Sequence, residues 1–274
     1  YEILFTKKSL NFVRCKCKGK LVYINPSINE KYLHKHFKYS KSWKIWSKNV
    51  LKSKNKIRED NKKFKDIKKF LKDKTTKNFN LLDVGCSSGN FLTFSKKNLT
   101  TNCYGIEPSV DAYKIAKQNN LDVINTSFEN FKTKKKFDLI CFWASFEYCY
   151  DLKLVTTKIK QLLKSNGLLL IYISGNSSSL IMRMLREKCV GFIFNRTHYF
   201  SPQSLEYFFK KNKMKKIFEK SFLSEINVIT SYLDYNSAYD KKEIPLSLKK
   251  FSINLEKNIF NNEMGYKFLT IFKK

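Results

Sequence analysis

Short apolar runs recur along the middle of the chain, and each is followed by a stretch in which apolar residues return every three or four positions. Phe79 to Val84 is the first run, and Asn90 to Lys97 is the helical stretch after it. Asn102 to Ile106, Ser109 to Asn119 and Leu121 to Ile124 continue the order strand, helix, strand. Phe137 to Trp143, Leu152 to Leu163 and Leu168 to Ile173 repeat it. Strands apolar on both faces belong to a covered sheet, and strands that alternate with helices belong to a parallel one.

Beyond residue 173 the spacing predicts a helix around Ser178 to Lys188 and another opened by Ser201-Pro202, serine being a good N-cap and proline a good first helical residue. Lys215 to Phe222 and Tyr266 to Phe272 read as two closing strands, with an irregular insertion near 232–262 between them. The fold class is therefore α/β: a doubly wound, mostly parallel seven-stranded sheet with helices on both faces. Residues 1–72 have a different texture, lysine-rich with scattered aromatics, and only Phe64, Ile67, Phe70 and Leu71 fall at helical spacing. They read as a small N-terminal appendage set before a domain covering 73–274.

Composition changes this picture little. With 274 residues, 42% of them hydrophobic, the chain can bury one core and carry an appendage. A net charge of +31 would suggest a polyanionic partner. Lysine far outnumbers arginine, however, and asparagine, isoleucine, phenylalanine and tyrosine are abundant, as an AT-rich coding sequence would make them whatever the function. No run of about 18 apolar residues occurs, so no membrane-spanning helix is expected. Nor does the start, Tyr1-Glu2-Ile3-Leu4-Phe5-Thr6-Lys7-Lys8, follow the order of a secretory signal. Seven cysteines, mostly within apolar stretches such as those of Cys103, Cys141 and Cys149, point to reduced thiols and a cytoplasmic location.

The chemistry concentrates where the first strand meets its helix, at Asp83-Val84-Gly85-Cys86-Ser87-Ser88-Gly89. Glycines allow a tight turn, and the helix start offers free N–H groups. A pyrophosphate-binding turn needs Gly-x-Gly-x-x-Gly, whereas this one has Gly-x-x-x-Gly, which suits a ligand without phosphate. Glu107 closes the second strand, where an acid can accept from both hydroxyls of a ribose. Taken singly, Gly85 could merely turn the chain and Glu107 cap the helix at Ser109. The order strand, glycine turn, helix, strand, acid favours a ligand site.

On these residues the stretch from about Phe79 to Phe209 resembles the class I S-adenosylmethionine-dependent methyltransferases, whose sheet is Rossmann-like, and within them the quinone-biosynthesis-type and sugar methyltransferases. The family's acid-x-Gly-x-Gly-x-Gly falls on Asp83, Gly85, Ser87 and Gly89, with serine in place of the middle glycine. The resemblance implies S-adenosylmethionine as cofactor, held through Asp83, Gly85, Cys86 and Gly89 at the methionine part and Glu107 with Pro108 at the ribose. It places Ser127-Phe128-Glu129 near the adenine, and Trp143 at the end of the fourth strand also lines the cofactor site.

Phe142 to Asp151 resembles the family segment that ends in Glu-His, but Tyr148 stands at the histidine position and Ala144 where an acid is usual. Methyl transfer is an in-line displacement that mainly needs alignment, and a base only where the acceptor keeps its proton. Glu147 is one candidate for that base, while Tyr148 is a candidate for orienting the acceptor. Asn195-Arg196-Thr197-His198-Tyr199-Phe200-Ser201-Pro202 resembles the segment that closes over the acceptor in this branch, which makes His198 the third catalytic candidate. His34 and His36 read as surface residues.

Near the start, Arg14-Cys15-Lys16-Cys17-Lys18-Gly19 resembles the second half of a small zinc ribbon. A structural zinc needs four ligands. Only Cys15 and Cys17 are supplied, and the chain opens on Tyr1 rather than methionine, so the first knuckle is read as upstream or lost and no metal is expected. Asn25-Pro26 with Tyr32, Phe37, Tyr39, Trp43 and Trp46 resembles a linker that covers the site in relatives.

The favoured function is thus methyl transfer to a small molecule, a sugar, nucleotide-sugar or cell-envelope precursor. An RNA methyltransferase is the alternative, motivated by aromatics among lysines, which can stack on bases. A module that keeps the fold and has lost the chemistry is the third reading, motivated by Ala144 and Tyr148. Oligomeric state and the atom methylated are not legible.

Overall fold

The computed structural model describes residues 1–41, 44, 45, 47, 54–71, 78–100, 102–222 and 257–274. Trp43, Trp46 and most of the insertion expected near 232–262 lie outside them. The described elements are strands β1 (Glu2–Lys7), β2 (Leu10–Arg14) and β3 (Val22–Asn25), helices α1 (Glu30–Tyr39) and α2 (Lys54–Leu71), then β4 (Leu81–Val84), α3 (Asn90–Asn98), β5 (Cys103–Ile106), α4 (Val110–Gln118) and β6 (Val123–Ile124). They continue with β7 (Phe137–Trp143), α5 (Leu152–Leu162), β8 (Leu163–Ile173), α6 (Leu180–Leu185), β9 (His198–Tyr199), α7 (Pro202–Lys211), β10 (Lys215–Phe222) and β11 (Lys267–Lys273).

Seven strands form one sheet in the order β10-β11-β8-β7-β4-β5-β6, and the pairs β4–β5, β4–β7 and β5–β6 are parallel. The expected Rossmann-like sheet is present. Two compact units emerge from the contacts: Asn29–Ser145 with Cys149–Leu170 and Lys273–Lys274 in one, and Tyr1–Ile28 with Phe146–Tyr148 and Ile171–Phe272 in the other.

In the unit that begins at Asn29, the apolar runs read from the sequence become β4, β5, β6 and β7. Leu81 and Leu82 pair with Leu139 and Ile140 on one side and with Cys103 and Tyr104 on the other. Leu81, Leu82, Leu139 and Ile140 are all fully buried, as strands covered on both faces require. Helix α4 starts at Ser109, whose hydroxyl accepts from Ala112 N, and α5 starts at Asp151, whose carboxylate accepts from Leu154 N. Helix α2 buries Phe64, Ile67 and Leu71, and Phe64 packs its ring against Phe91 of α3 and Trp143 of β7. Each such ring contributes about 1.5–3 kcal/mol through burial. Strand order reverses at β4, which has β5 on one side and β7 on the other, so the carboxyl ends of β4 and its neighbours form the switch point at which α/β sheets bind ligands.

The other unit carries a second sheet, antiparallel, in the order β1-β2-β3-β9. The stretch compared with a zinc ribbon is thus the turn between β2 and β3, closed by Cys15 N donating to Leu21 O at 2.8 Å. Cys15 and Cys17 are joined by a disulfide. This corrects the reading of the cysteines as reduced thiols for these two; Cys86, Cys103, Cys141, Cys149 and Cys189 are buried and outside the disulfide. Phe12, Val22 and Ile24 of this sheet share a core with Ile181, Met182, Cys189, Phe192 and Tyr199. The helix expected from 178 to 188 is shorter than its spacing suggested: α6 ends at Leu185 and passes into a 3-10 turn at Arg186, whose φ is +45°.

Candidate active site

The turn after β4 owes its shape to two glycines and a serine. Gly85 has φ +71°, Ser87 +54° and Gly89 +85°, left-handed conformations that glycine tolerates and other residues resist. Gly85 is further constrained by crowding, since a Cβ there would lie 2.8 Å from the Cβ of Ser145. Gly89 caps α3, and a Cβ on it would run into Leu121. Serine is therefore accommodated at the middle position without straightening the turn. Cys86 is buried behind it, and burial pushes its thiol far up, so it is not a nucleophile.

Glu107 sits at the centre of this geometry. One carboxylate oxygen accepts from Ser87 N at 2.8 Å and the other from Ser109 N at 2.7 Å. It thereby ties the glycine turn to the start of α4, so the capping role weighed from the sequence is real and leaves lone pairs to spare. Its backbone carbonyl and that of Pro108 accept from Asn125 Nδ2 at 2.8 and 3.1 Å. Burial raises the Glu107 carboxyl to about 7, against the lowering effect of the two N–H donors. Asp83 is 1% exposed, burial drives its carboxyl well above the usual range, and Glu107 drives it further.

These two acids test what the turn can hold. No lysine or arginine is among the groups that shift either one. Asp83 Oδ1 is buried and has no hydrogen-bond partner among the described residues. A phosphate would meet two acids and none of these cations, whereas the ammonium and sulfonium charges of a ligand with a ribose diol would draw both carboxyls toward their ionised form. The residues present fit S-adenosylmethionine.

The remaining cofactor candidates are less open. Ser127 is half-buried, with its hydroxyl accepting from Asn130 N. Phe128 is 3% exposed and packs edge-on to Phe142 with ring centres 5.3 Å apart. Trp143 belongs to the aromatic cluster with Phe64 and Phe91. Sequence reasoning missed Ser145, whose hydroxyl donates to Val84 O and whose Cβ faces Gly85. Nothing in a lone serine flags such a role.

In the other unit the acceptor-side candidates gather around Arg196. Glu147 is fully buried, and its Oε1 accepts from Ser174 N at 3.0 Å and Ser174 Oγ at 2.8 Å. Arg196, 6% exposed, donates through Nη2 to Ser174 Oγ at 2.9 Å and to the Tyr148 phenol oxygen at 3.3 Å, and through Nη1 to Gly191 O at 3.3 Å. Burial works against the guanidinium charge, yet Tyr148, Glu147, Tyr199 and Tyr266 together hold it more firmly protonated than usual. Glu147 is thus buried and bridged to Arg196 through Ser174. Tyr148 is half-buried, and its phenol oxygen accepts from Arg196.

His198 is half-buried on β9, and its Nδ1 lies 2.8 Å from Thr197 Oγ1. The sequence did not single out Arg196, though a signal existed: it is one of only five arginines among 54 basic residues, and arginine's planar fork is what buried pairing calls for. His34 pairs with Glu30 on α1, as a surface histidine does.

Known proteins bear directly on this geometry. A family described as a methyltransferase domain matches residues 56–216. A ubiquinone biosynthesis O-methyltransferase of Pelagibacter ubique (strain HTCC1062) is 34% identical over 158 residues, covering 53% of this chain. The alignment spans 65% of that relative's length. Among solved structures, a putative methyltransferase in complex with the Haloferax volcanii Trm112 activator matches with TM-score 0.60 and 13% identity over 84% of this chain and 96% of its own. A possible histamine N-methyltransferase from Thermotoga maritima matches with TM-score 0.54 and 15% identity, over 85% and 99%. At such identities the two structures speak for the fold alone. With the family match spanning more than half of the chain, the chain belongs to the methyltransferase-domain family.

Proposed function

We propose that this enzyme transfers a methyl group to a hydroxyl of a small quinone-type or phenolic acceptor in the cytoplasm. The observation that carries the reading is the 34% identity to the ubiquinone biosynthesis O-methyltransferase, which favours such a ring over the sugar or nucleotide-sugar expected from the sequence. Five of the seven cysteines are buried and outside a disulfide, which suits a reducing compartment, while the Cys15–Cys17 disulfide counts against it. When bound, the cofactor supplies a methyl carbon made electrophilic by a cationic sulfur. Asp83 and Glu107 balance its charge, Glu107 takes the ribose hydroxyls, and Gly85, Cys86 and Gly89 give it backbone room. Pro108 and Ser127 line the nucleoside, with Phe128 and Trp143 supporting from the core. His198 accepts the acceptor's proton, while Tyr148, held by Arg196, orients the acceptor ring.

Calorimetric titration with S-adenosylmethionine and S-adenosylhomocysteine, followed by turnover assays with catechol-type phenols and nucleotide-sugars, tests the proposal. Micromolar binding, methylation of the phenols and loss of turnover in His198→Ala at unchanged cofactor affinity are expected. Methylation of nucleotide-sugars alone would overturn the acceptor class.

A second reading rests on α2, where Arg58, Lys62, Lys65 and Lys69 are exposed at one helical face and line one groove of about 690 Å³. Such a stripe suits a phosphate backbone and would make RNA the acceptor. RNA affinity that falls steeply with added salt, together with RNA methylation, would favour it.

A further inference from the structure

We propose that the Cys15–Cys17 disulfide is a thiol–disulfide exchange site for a small anionic thiol of the glutathione class, and that Cys17 Sγ is the sulfur attacked. The proposal stands apart from the acceptor reading and involves neither His198 nor the cofactor.

The two cysteines are two residues apart, in the turn between β2 and β3. A crosslink across so short a loop removes little entropy from the unfolded chain, so it adds less stability than one that closes a long loop. The turn is also held without it. Strands β2 and β3 pair from Asn11 with Asn25 to Arg14 with Val22, Cys15 N donates to Leu21 O at 2.8 Å, and Lys20 N donates to Cys17 O at 3.1 Å. Gly19 is buried against Tyr207 of α7, where a Cβ would lie 2.5 Å from the ring. These contacts use no sulfur, so they persist when the S–S bond opens, and the two sulfurs stay near enough to join again. A disulfide of this kind fits a compartment in which a permanent one would not form.

The two sulfurs are not equivalent. Cys17 is exposed and Cys15 is half-buried, so an incoming thiolate has the better access to Cys17. Cys15 Sγ accepts from Cys17 N at 3.1 Å, and an N–H aimed at a sulfur stabilises the charge that the sulfur carries as it leaves. Access and leaving ability therefore select the same direction. Arg14, Lys16, Lys18 and Lys20 alternate with the cysteines along the turn, and the three lysines are exposed. Glu2, 3.6 Å from Arg14, offsets part of that charge. Cations beside a thiol favour its thiolate, and they attract a partner that carries carboxylates.

In the exchange, the small thiolate forms a bond to Cys17 Sγ while the Cys15–Cys17 bond breaks, its electron pair leaving on Cys15. A second small thiolate attacks the first one's sulfur in this mixed disulfide and releases the Cys17 thiolate. Two small thiols are thereby oxidised to one disulfide, the protein disulfide is reduced to two thiols, and the protons of the small thiols end on Cys15 and Cys17. Cys86, Cys103, Cys141, Cys149 and Cys189 are buried and take no part.

The test is peptide mass spectrometry of the whole folded chain, oxidised in air, exposed to millimolar glutathione and quenched at intervals with N-ethylmaleimide. The pair is expected to be reduced, through an early species that carries glutathione on Cys17 and maleimide on Cys15 in about tenfold excess over the reverse. Lys16→Gln combined with Lys18→Gln should slow the reaction with glutathione several-fold and that with uncharged 2-mercaptoethanol much less. A pair that resists millimolar glutathione is a structural disulfide only and overturns the exchange. Glutathione found chiefly on Cys15 overturns the direction, and equal slowing of both thiols overturns the anionic class.

Discussion

Gly85 and Ser145 stand so close that a Cβ on the glycine would lie 2.8 Å from the Cβ of the serine. Alanine at 85 would meet that crowding and also hold φ at +71°, a conformation that costs a non-glycine residue about 1–2 kcal/mol. Gly85→Ala is expected to lower stability by at least that much and to weaken S-adenosylhomocysteine binding. Adding Ser145→Gly should return the crowding part and leave the backbone part. Denaturant titration of the two singles and the double measures both. Equal stability of the single and double glycine-site variants would show that the serine is not the obstacle.

Glu107 makes stability depend on pH. Its folded carboxyl sits at about 7 against 4.5 unfolded, so between those values the folded state holds a proton that the unfolded state has released. Stability should therefore fall as pH rises from about 4.5 and level off above about 7, with a total loss of at most about 3 kcal/mol. Glu107→Gln should flatten that slope relative to the wild type in urea melts at pH 5 and pH 8. Parallel slopes for the two proteins would contradict the assignment.

Removing the acid proposed to hold the ribose should also act on the ligand. Glu107→Ala is expected to weaken S-adenosylmethionine binding by about 1.5–3 kcal/mol for each charge-assisted hydrogen bond lost, read by calorimetry. Unchanged affinity in the folded variant would remove Glu107 from the site.

Arg196 and Glu147 form a buried pair bridged by Ser174. Truncating one member of such a pair strands the other charge, at a cost of about 3–5 kcal/mol, whereas replacing both by apolar residues is often near neutral. Arg196→Met should accordingly be far less stable than Arg196→Met combined with Glu147→Leu. A double variant as unstable as the single would mean that the pair carries no coupling.

Much of this was legible in the sequence, and the reasons are physical. Strands β4, β5 and β7 are covered on both faces, so their apolar runs announce them, and the turn from Asp83 to Gly89 is local, so spacing alone suffices. The strands β1 to β3 were missed because they are interleaved with lysines, and because β3 finds its partner at His198 and Tyr199, far along the chain. The surroundings of Glu147 were not legible for a related reason: its position in a segment tells nothing of Arg196, which approaches from 49 residues away. Local order can be read from neighbours, but a buried charge is defined by what the fold brings to it.

The pairing of β3 with β9 also has a consequence for how the chain is made. By the time the ribosome has added the about 170 residues between Asn25 and His198, about 10–35 s have passed at ordinary rates, and all that while one edge of β3 has no strand to receive it. An open strand edge beside Phe12, Val22 and Ile24 invites pairing with another nascent chain.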